Sequence, residues 1–269
     1  MSALTPDLQA ALESRLRYYR DLGVFNFYRR SDPDPKLEQM TINQTNNEHS
    51  VSISPEGDSS SESLPAAPVA TAVAAGNRFA VLEAIRADIG ECTRCPLAFQ
   101  GRHTVVFADG DPGARLMFVG EGPGADEDAQ GLPFVGRAGQ LLNNMITAMG
   151  LQRSEVYIAN VVKCRPPQNR TPEPAEANTC MQFLWRQIDV VRPQVIVALG
   201  STAATYLLGA KSSLAGLRGR IHQVRGSQVI VTYHPAYLLR DPRQKAEAWK
   251  DLQVAMKELG LKPPRPAKS

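Results

Sequence analysis

The sequence lacks the features that mark several large protein classes. Aromatic residues make up only 6% of its 269 residues. No apolar stretch approaches the ~18 residues of a membrane-spanning helix, and the first residues lack the basic and apolar regions of a signal peptide. The composition excludes a collagen, a coiled coil and a fully disordered chain. We therefore expect a cytoplasmic protein with no membrane segment.

The distribution of charge along the chain is more informative than the small net charge of +3. Residues 31–64 carry one Lys against seven acidic residues, whereas residues 65–269 carry 24 Lys and Arg against 17 acidic residues. The larger part is therefore basic, which favours polyanionic partners such as nucleic acids or phosphates. A solvated surface without a partner would explain the same charge.

The chain divides into four segments of different composition. In order, we predict an amphipathic helix, a disordered acidic linker rich in Ser, Pro and Ala, a globular domain and a basic Pro-rich tail, at residues 1–30, 31–76, 77–260 and 261–269. The linker has too few large apolar residues to bury a core. The first helix either packs against the domain or binds an unidentified protein partner.

Short apolar runs alternate with helical segments through the globular domain. The runs lie at residues 116–119, 156–162, 195–199 and 229–232, and the main helices at about 78–89, 137–149, 173–191 and 243–259. This alternation predicts an α/β fold, a three-layer α/β/α sandwich with a central, mostly parallel four-stranded sheet. Ligands bind such sheets beyond the carboxyl ends of the strands, so we expect the functional site there.

The four cysteines form a close pair and two distant single residues. Cys92 and Cys95 form a Cys-x-x-Cys pair, and Cys164 and Cys180 lie 16 positions apart. Four thiolates suit either a tetrahedral zinc ion or a four-iron cluster, and the spacing alone does not separate them. Four unrelated buried thiols are the alternative, but every cysteine lies near the end of a predicted strand or helix.

Several long motifs occur at the ends of the predicted strands. They are Gly120-Glu-Gly-Pro-Gly-Ala-Asp-Glu-Asp128, Gly131-Leu-Pro-Phe-Val-Gly-Arg-Ala-Gly-Gln-Leu-Leu142, Asn160-Val-Val-Lys-Cys-Arg-Pro-Pro-Gln-Asn-Arg170 and Tyr233-His-Pro-Ala-Tyr-Leu-Leu-Arg240. Their order and gaps closely resemble those of the iron–sulfur, or type-4, uracil-DNA glycosylases. The resemblance covers about residues 78–259 and leaves out the first 75.

The resemblance implies a monofunctional hydrolase that flips uracil out of single- or double-stranded DNA and cleaves its N-glycosidic bond. The product would be an abasic site that starts base excision repair. The resemblance also implies a [4Fe-4S] cluster held by Cys92, Cys95, Cys164 and Cys180. We expect a monomer. The alternative is a non-catalytic or redox-sensing iron–sulfur DNA-binding protein of the same fold.

Two residues are the candidate catalytic groups by this resemblance. His234 would donate a hydrogen bond to O2 of uracil as negative charge develops on the leaving base. Glu121 would lie near C5 of the base and the attacking water. It would either exclude the methyl group of thymine, or stabilise the positive sugar and orient the water.

Substrate binding is implied for Gly120, Gly122, Pro123, Asp128, Phe134 and Asn160. The carboxamide of Asn160 presents a donor and an acceptor, which match O4 and N3–H of uracil and mismatch cytosine. Phe134 would stack on the flipped base, and the glycines would permit close backbone approach. Asp128 would support the loop that carries the first motif.

DNA binding is implied for Tyr237, Leu238, Arg240 and Arg165. Apolar side chains of the last motif would fill the space left by the extruded base. Arg240 and Arg165 would contact phosphates, and we expect Lys163 and Arg170 to add backbone contacts.

Overall fold

The structure is a computed structural model that describes residues 75–209 and 212–262. The predicted first helix, nearly all of the predicted linker and most of the basic tail lie outside these residues, so their boundaries stay predictions. Within the described ranges, no helix has the length and apolar character needed to cross a membrane.

The described chain alternates strands and helices, as predicted. Its strands are β1 (Asp109–Gly110), β2 (Leu116–Gly120), β3 (Tyr157–Asn160), β4 (Val195–Leu199), β5 (Ile221–Val224) and β6 (Ser227–Thr232). Its α-helices are α1 (Ala75–Ile89), α2 (Ala125–Gln130), α3 (Arg137–Ala148), α4 (Pro174–Val191), α5 (Ser201–Leu208), α6 (Leu214–Leu217), α7 (Pro235–Arg240) and α8 (Lys245–Leu259).

The strands form one sheet in the order β1-β3-β2-β4-β6-β5. The central strands β3, β2, β4 and β6 are parallel, which confirms the predicted four-stranded parallel core. The sheet is wider than predicted, because β1 and β5 add antiparallel edges. β1 has only two residues, and the residues of β5 alternate between exposed and half-buried, so neither has the continuous apolar run of a buried strand.

Both faces of the sheet are covered, which gives the predicted three layers. In β2, Met117 and Val119 point into one apolar cluster while Leu116 and Phe118 point into another, because successive side chains of a strand alternate in direction. The first cluster includes side chains of α1 and α4, and the second includes side chains of α3 and α8. Each large side chain buried there contributes roughly 1.5–3 kcal/mol to folding.

The parallel strands bring four loops to one edge of the sheet. Gly120 at the end of β2 pairs with Asn160 at the end of β3, and Leu199 at the end of β4 pairs with Thr232 at the end of β6. The segments that follow these residues therefore meet above the same edge, although they are far apart in sequence.

Candidate active site

A cleft of about 820 Å³ lies beyond the carboxyl ends of the four parallel strands. Each strand contributes to its wall: Glu121 follows β2, Asn160 ends β3, Gly200 follows β4 and His234 follows β6. Gly122, Pro123 and Phe134 also line the cleft, whereas Gly120 is buried beneath it. The structure thus brings together most of the residues that the motifs singled out.

Asn160 holds an unpaired polar atom at the cleft. The residue is only 2% exposed, and its Oδ1 atom has no hydrogen-bond partner among the described residues. A Cβ atom built on Gly120 would lie 2.4 Å from this Oδ1 and 2.5 Å from Cζ of Phe134. Only glycine therefore fits at position 120. An unsatisfied buried acceptor costs about 1–3 kcal/mol, which marks Asn160 as a group that a ligand can satisfy.

Phe134 adopts an unusual backbone conformation beside Asn160. Its φ is +53°, in the left-handed region that costs a bulky residue about 1–3 kcal/mol. Arg153 holds this conformation, since one of its guanidinium nitrogens donates to the Phe134 carbonyl at 3.1 Å and another donates to the carbonyl of Pro133. A Cβ atom at Gly139 would lie 1.9 Å from the same Phe134 carbonyl, so the helix below needs glycine there.

His234 caps the N-terminus of helix α7 and is a neutral hydrogen-bond donor. Its Nδ1 atom accepts from the backbone N–H of Ala236 at 3.1 Å, so the proton of the neutral ring lies on Nε2. The pKa of His234 is lowered to about 4, mainly by burial and in addition by the positive charge of Arg240. The ring lies 5.6 Å from the ring of Phe134, centroid to centroid, so both line the same part of the cleft.

Glu121 is held by a residue that the motifs did not identify. The hydroxyl of Thr202, in the first turn of α5, donates to its Oε2 atom. The sequence signal for this contact is weak, because Thr202 follows the Gly200-Ser201 turn and belongs to no recognised motif.

Glu127 of the first motif lines the cleft and also braces the loops around it. Glu127 accepts from the backbone N–H of Gly124 at 3.0 Å, of Val135 at 2.9 Å and of Gly136 at 3.1 Å, which ties the first motif to the second.

Asp128 is fully buried and does not line the cleft, so its direct contact with substrate is not supported. Its carboxylate accepts from the backbone N–H of His103 at 2.9 Å and of Thr104 at 3.1 Å, and it contacts Nδ1 of His103 at 2.7 Å. Burial acts to raise the pKa of Asp128, but these hydrogen bonds outweigh it and lower the pKa. Asp128 therefore supports the motif loop, which is the narrower role expected for it.

The predicted DNA-binding residues are placed in different environments. Tyr237 and Arg240 line the cleft, and the ring of Tyr237 stacks on that of Tyr233 with centroids 5.2 Å apart. Leu238 is only 1% exposed and packs between α3 and α8, so it cannot fill the DNA helix in this conformation. The adjacent Leu239 is half-exposed, because consecutive side chains of an α-helix point in different directions around its axis.

Among the basic residues after β3, Lys163 differs from expectation. Arg165 is half-exposed and donates to Asn169 at 2.8 Å, and Arg170 lines the cleft while paired with Glu176 at 2.7 Å. Lys163 is 1% exposed, so the prediction that it contacts the DNA backbone is wrong. Its Nζ atom instead donates to the backbone carbonyl of Asn160 at 2.9 Å and to Oε1 of Gln187 at 2.6 Å.

The four cysteines line one small, mostly apolar cavity. Cys92 and Cys95 are half-buried after α1, whereas Cys164 and Cys180 are buried after β3 and within α4. All four are free thiols, and burial raises the pKa of Cys180 to about 12. In the described ranges, no group of three or more His, Cys, Asp or Glu side chains is arranged to hold a metal ion.

Two buried cations adjoin this cavity. Arg102, whose side chain is 8% exposed, donates to Sγ of Cys164 at 3.0 Å, and its ion-pair partner among the described residues is the fully exposed Glu91 at 3.8 Å. The backbone N–H of Lys163 donates to Sγ of Cys180 at 3.3 Å. Burial lowers the pKa of Lys163 to about 8, which still leaves it mostly charged at neutral pH. Neither cation has a buried carboxylate partner in the described residues.

Comparison with known families identifies the class of this protein. The model of the Uracil DNA glycosylase superfamily matches residues 107–253, from the segment before β1 into α8. This match includes the four strand-end segments that form the cleft. The chain therefore belongs to the uracil DNA glycosylase superfamily.

Individual relatives define the branch of the superfamily. Three are named type-4 uracil-DNA glycosylases. The one from Thermotoga maritima is 48% identical over 60% of this chain and 84% of the relative. Those from Sulfurisphaera tokodaii and Archaeoglobus fulgidus are 42% and 39% identical over 68% of this chain, covering 87% and 96% of the relatives. The resemblance to the type-4 family that the motifs predicted is therefore confirmed.

Proposed function

We propose that this protein is a monofunctional uracil-DNA glycosylase that hydrolyses the bond between uracil and deoxyribose in DNA. The observation that carries the proposal is the buried carboxamide of Asn160, whose Oδ1 atom is unpaired among the described residues and which lines the cleft together with Phe134. The remaining walls supply a neutral histidine donor and a carboxylate, which are the groups that this hydrolysis requires.

Recognition of uracil follows from the two atoms of that carboxamide. Oδ1 accepts from N3–H of uracil, and Nδ2 donates to O4. Cytosine presents an acceptor at N3 and a donor at C4, so both contacts would become repulsive or unpaired. Each unpaired buried group costs about 1–3 kcal/mol, enough for strong discrimination. The ring of Phe134 supplies a face on which the flipped base stacks.

Bond cleavage places negative charge on the base and positive charge on the sugar. The electron pair of the C1′–N1 bond leaves with uracil, and a water oxygen then bonds to C1′ and loses a proton. His234, neutral with its proton on Nε2, donates to O2 of the departing base. Glu121 faces the same cleft as a carboxylate that stabilises the positive sugar or orients the water.

Contacts with DNA come from the rim of the cleft and leave an abasic site as product. Tyr237, with the half-exposed Leu239 beside it, is suited to occupy the space that the flipped nucleotide leaves. Arg240 and Arg165 provide positive charge for phosphates, which gives affinity and salt dependence rather than base selectivity.

We further propose that Cys92, Cys95, Cys164 and Cys180 hold a [4Fe-4S] cluster. The support is the shared cavity, the Arg102 guanidinium that donates to Sγ of Cys164, the backbone N–H of Lys163 that donates to Sγ of Cys180, and the buried Lys163 side chain in the cavity wall. Buried charges need opposite charges nearby. Four thiolates around a cluster with a 2+ core carry a net charge of about −2, which two cations balance. The cluster would cross-link α1, the segment after β3 and α4 when bound.

An oligonucleotide assay tests the activity. DNA with a single uracil, and matched DNA with cytosine or thymine at the same position, would be incubated with the full chain and treated with alkali. We expect strand cleavage of the uracil DNA alone. DNA binding without abasic product from the wild-type protein would instead favour the non-catalytic reading and overturn this one.

Metal and sulfide analysis of the purified protein tests the cofactor. We expect about four irons and four sulfides per chain together with broad visible absorbance. One zinc ion and no visible absorbance would refute the cluster without touching the proposed activity.

A further inference from the structure

A hydrogen bond joins two of the loops that form the cleft wall. The Thr202 hydroxyl donates to Oε2 of Glu121, so it links the segment after β4 to the segment after β2. We propose that Thr202 is a positioning residue that fixes the Glu121 carboxylate for the reaction. This inference rests on the proposed glycosylase function.

The fold gives Thr202 a defined place. Strands β2 and β4 are parallel neighbours, with Val119 opposite Ala198, so the segments that follow them lie side by side. Gly200, with φ of +92°, turns the chain from β4 into α5, and its backbone N–H donates to the carbonyl of Thr232 at 2.8 Å. This turn places the first residues of α5 at the edge of the cleft.

The rotation of helix α5 is also restricted. Ala203 and Ala204, which follow Thr202 directly, are completely buried in the apolar cluster. Turning the helix would expose them, so Thr202 is kept on the side that faces Glu121. Because threonine branches at Cβ, its χ1 angle has few options, and the helix backbone therefore sets the direction of the hydroxyl.

The contact has a consequence for Glu121. A glutamate side chain has three rotatable bonds, and freezing them costs free energy that the reaction would otherwise have to supply. A hydroxyl bound to Oε2 fixes the side chain before substrate arrives and leaves Oε1 for the water or the sugar. The same hydroxyl satisfies an oxygen that would otherwise have to find another donor.

Steady-state kinetics with Thr202→Val tests the proposal, because valine keeps the shape and removes the donor. We expect kcat to fall about tenfold or more with KM nearly unchanged, since the contact serves the transition state rather than binding of DNA. Thr202→Ser should recover most of the activity. Thr205→Val, on the same helix one turn further on, is the matched control and should behave like wild type.

A second variant separates positioning from a general structural effect. If Thr202 acts through Glu121, then Thr202→Val should cost nothing further in a protein that already carries Glu121→Gln. Independent losses in the double variant, or a fully active Thr202→Val protein, would overturn the proposal.

The contact between Thr202 and Glu121 can still be tested if the proposed activity is wrong. A wild-type protein that yields no abasic product refutes the glycosylase function, not the contact. Crystal structures of wild type and Thr202→Val would then decide, since we expect Glu121 to leave its position in the variant. An unmoved Glu121 side chain would count against the inference.

Discussion

The cleft and the cysteine cavity depart from ordinary protein interiors in opposite ways. The cleft contains a neutral polar atom that has no partner in the part of the chain that the structure describes, Oδ1 of Asn160, and a strained residue, Phe134. Beside the cysteine cavity lie the positive side chains of Arg102 and Lys163, and neither has a buried carboxylate partner among the described residues. The first imbalance suits an uncharged ligand rich in hydrogen-bonding groups, and the second suits an anionic group.

A single residue connects these two regions. Lys163 donates through Nζ to the backbone carbonyl of Asn160 and through its backbone N–H to Sγ of Cys180. The segment between Asn160 and Cys164 therefore belongs to both sites. This arrangement predicts that damage to the cysteine site reaches the cleft, whereas damage to the cleft leaves the cysteine site intact.

Removing a cysteine should give the largest effect. We expect Cys180→Ser to lose iron, visible absorbance and uracil excision together, with a melting temperature well below that of wild type, because the cross-link between three segments is lost. Metal analysis, calorimetry and the cleavage assay would measure this. A colourless variant that kept full stability and activity would show that the cleft does not depend on the cysteine site.

Removing the histidine donor should affect activity alone. His234→Ala should lower kcat about 100- to 1,000-fold, the usual effect of losing one donor to a developing negative charge. Iron content and melting temperature should stay close to wild type. His222→Ala is the control, because His222 lies on the edge strand β5 and outside the cleft. Equal activity of the two variants would remove His234 from the mechanism.

The half-buried His234 should also make stability depend on pH. Its pKa is about 4 in the folded protein and 6.5 without the fold, so the unfolded chain binds the proton first as pH falls. The stabilising contribution is present above pH 6.5 and is lost progressively between pH 6.5 and 4. It amounts to about 3 kcal/mol at most, and less to the extent that the cleft admits water.

Denaturant unfolding at pH 7 and pH 4.5 would measure this loss. His234→Gln is the comparison, since glutamine does not titrate and its free energy of unfolding should change less over this range. Identical pH dependence in both proteins would contradict the shifted pKa.

Weakening the positive charge at the cysteine cavity should have the smallest effect. Arg102→Gln removes a cation from Cys164, which disfavours the more negative, reduced form of the proposed cluster, so its reduction potential should fall by roughly tens of millivolts. Electrochemistry of the iron-loaded protein would measure it. Arg243→Gln, at a highly exposed position, is the control and should leave the potential unchanged. An unchanged potential in both variants would mean that the charge of Arg102 does not influence the reduction potential.

The sequence predicted elements whose signals are local. Each central strand is a continuous apolar run and each long helix has a periodic pattern, so the parallel core and its order along the chain could be inferred. Because ligands bind parallel sheets beyond the carboxyl ends of the strands, the position of the cleft could be inferred as well. The edge strands β1 and β5 escaped detection because one is very short and the other is not buried on either face.

Errors arose where a residue type suggested exposure or a role that the packing did not allow. Lys163 lies in a basic motif, and lysine is rarely buried, so the sequence favoured a DNA contact. Leu238 lies in a motif suited to DNA, yet the turn of α7 directs it into the groove between α3 and α8. Composition carries no information on which way such side chains point.

The sequence by itself determined the family, the parallel core, the four cysteines and the identity of the cleft residues Asn160, Phe134, Glu121 and His234. Only the tertiary structure decided how these groups are held: Glu121 by Thr202, the Phe134 backbone by Arg153, and Cys164 by Arg102. The physical reason is that motifs record residues near one another in the chain. The supporting contacts join residues that are 19 to 81 positions apart and meet only when the sheet forms.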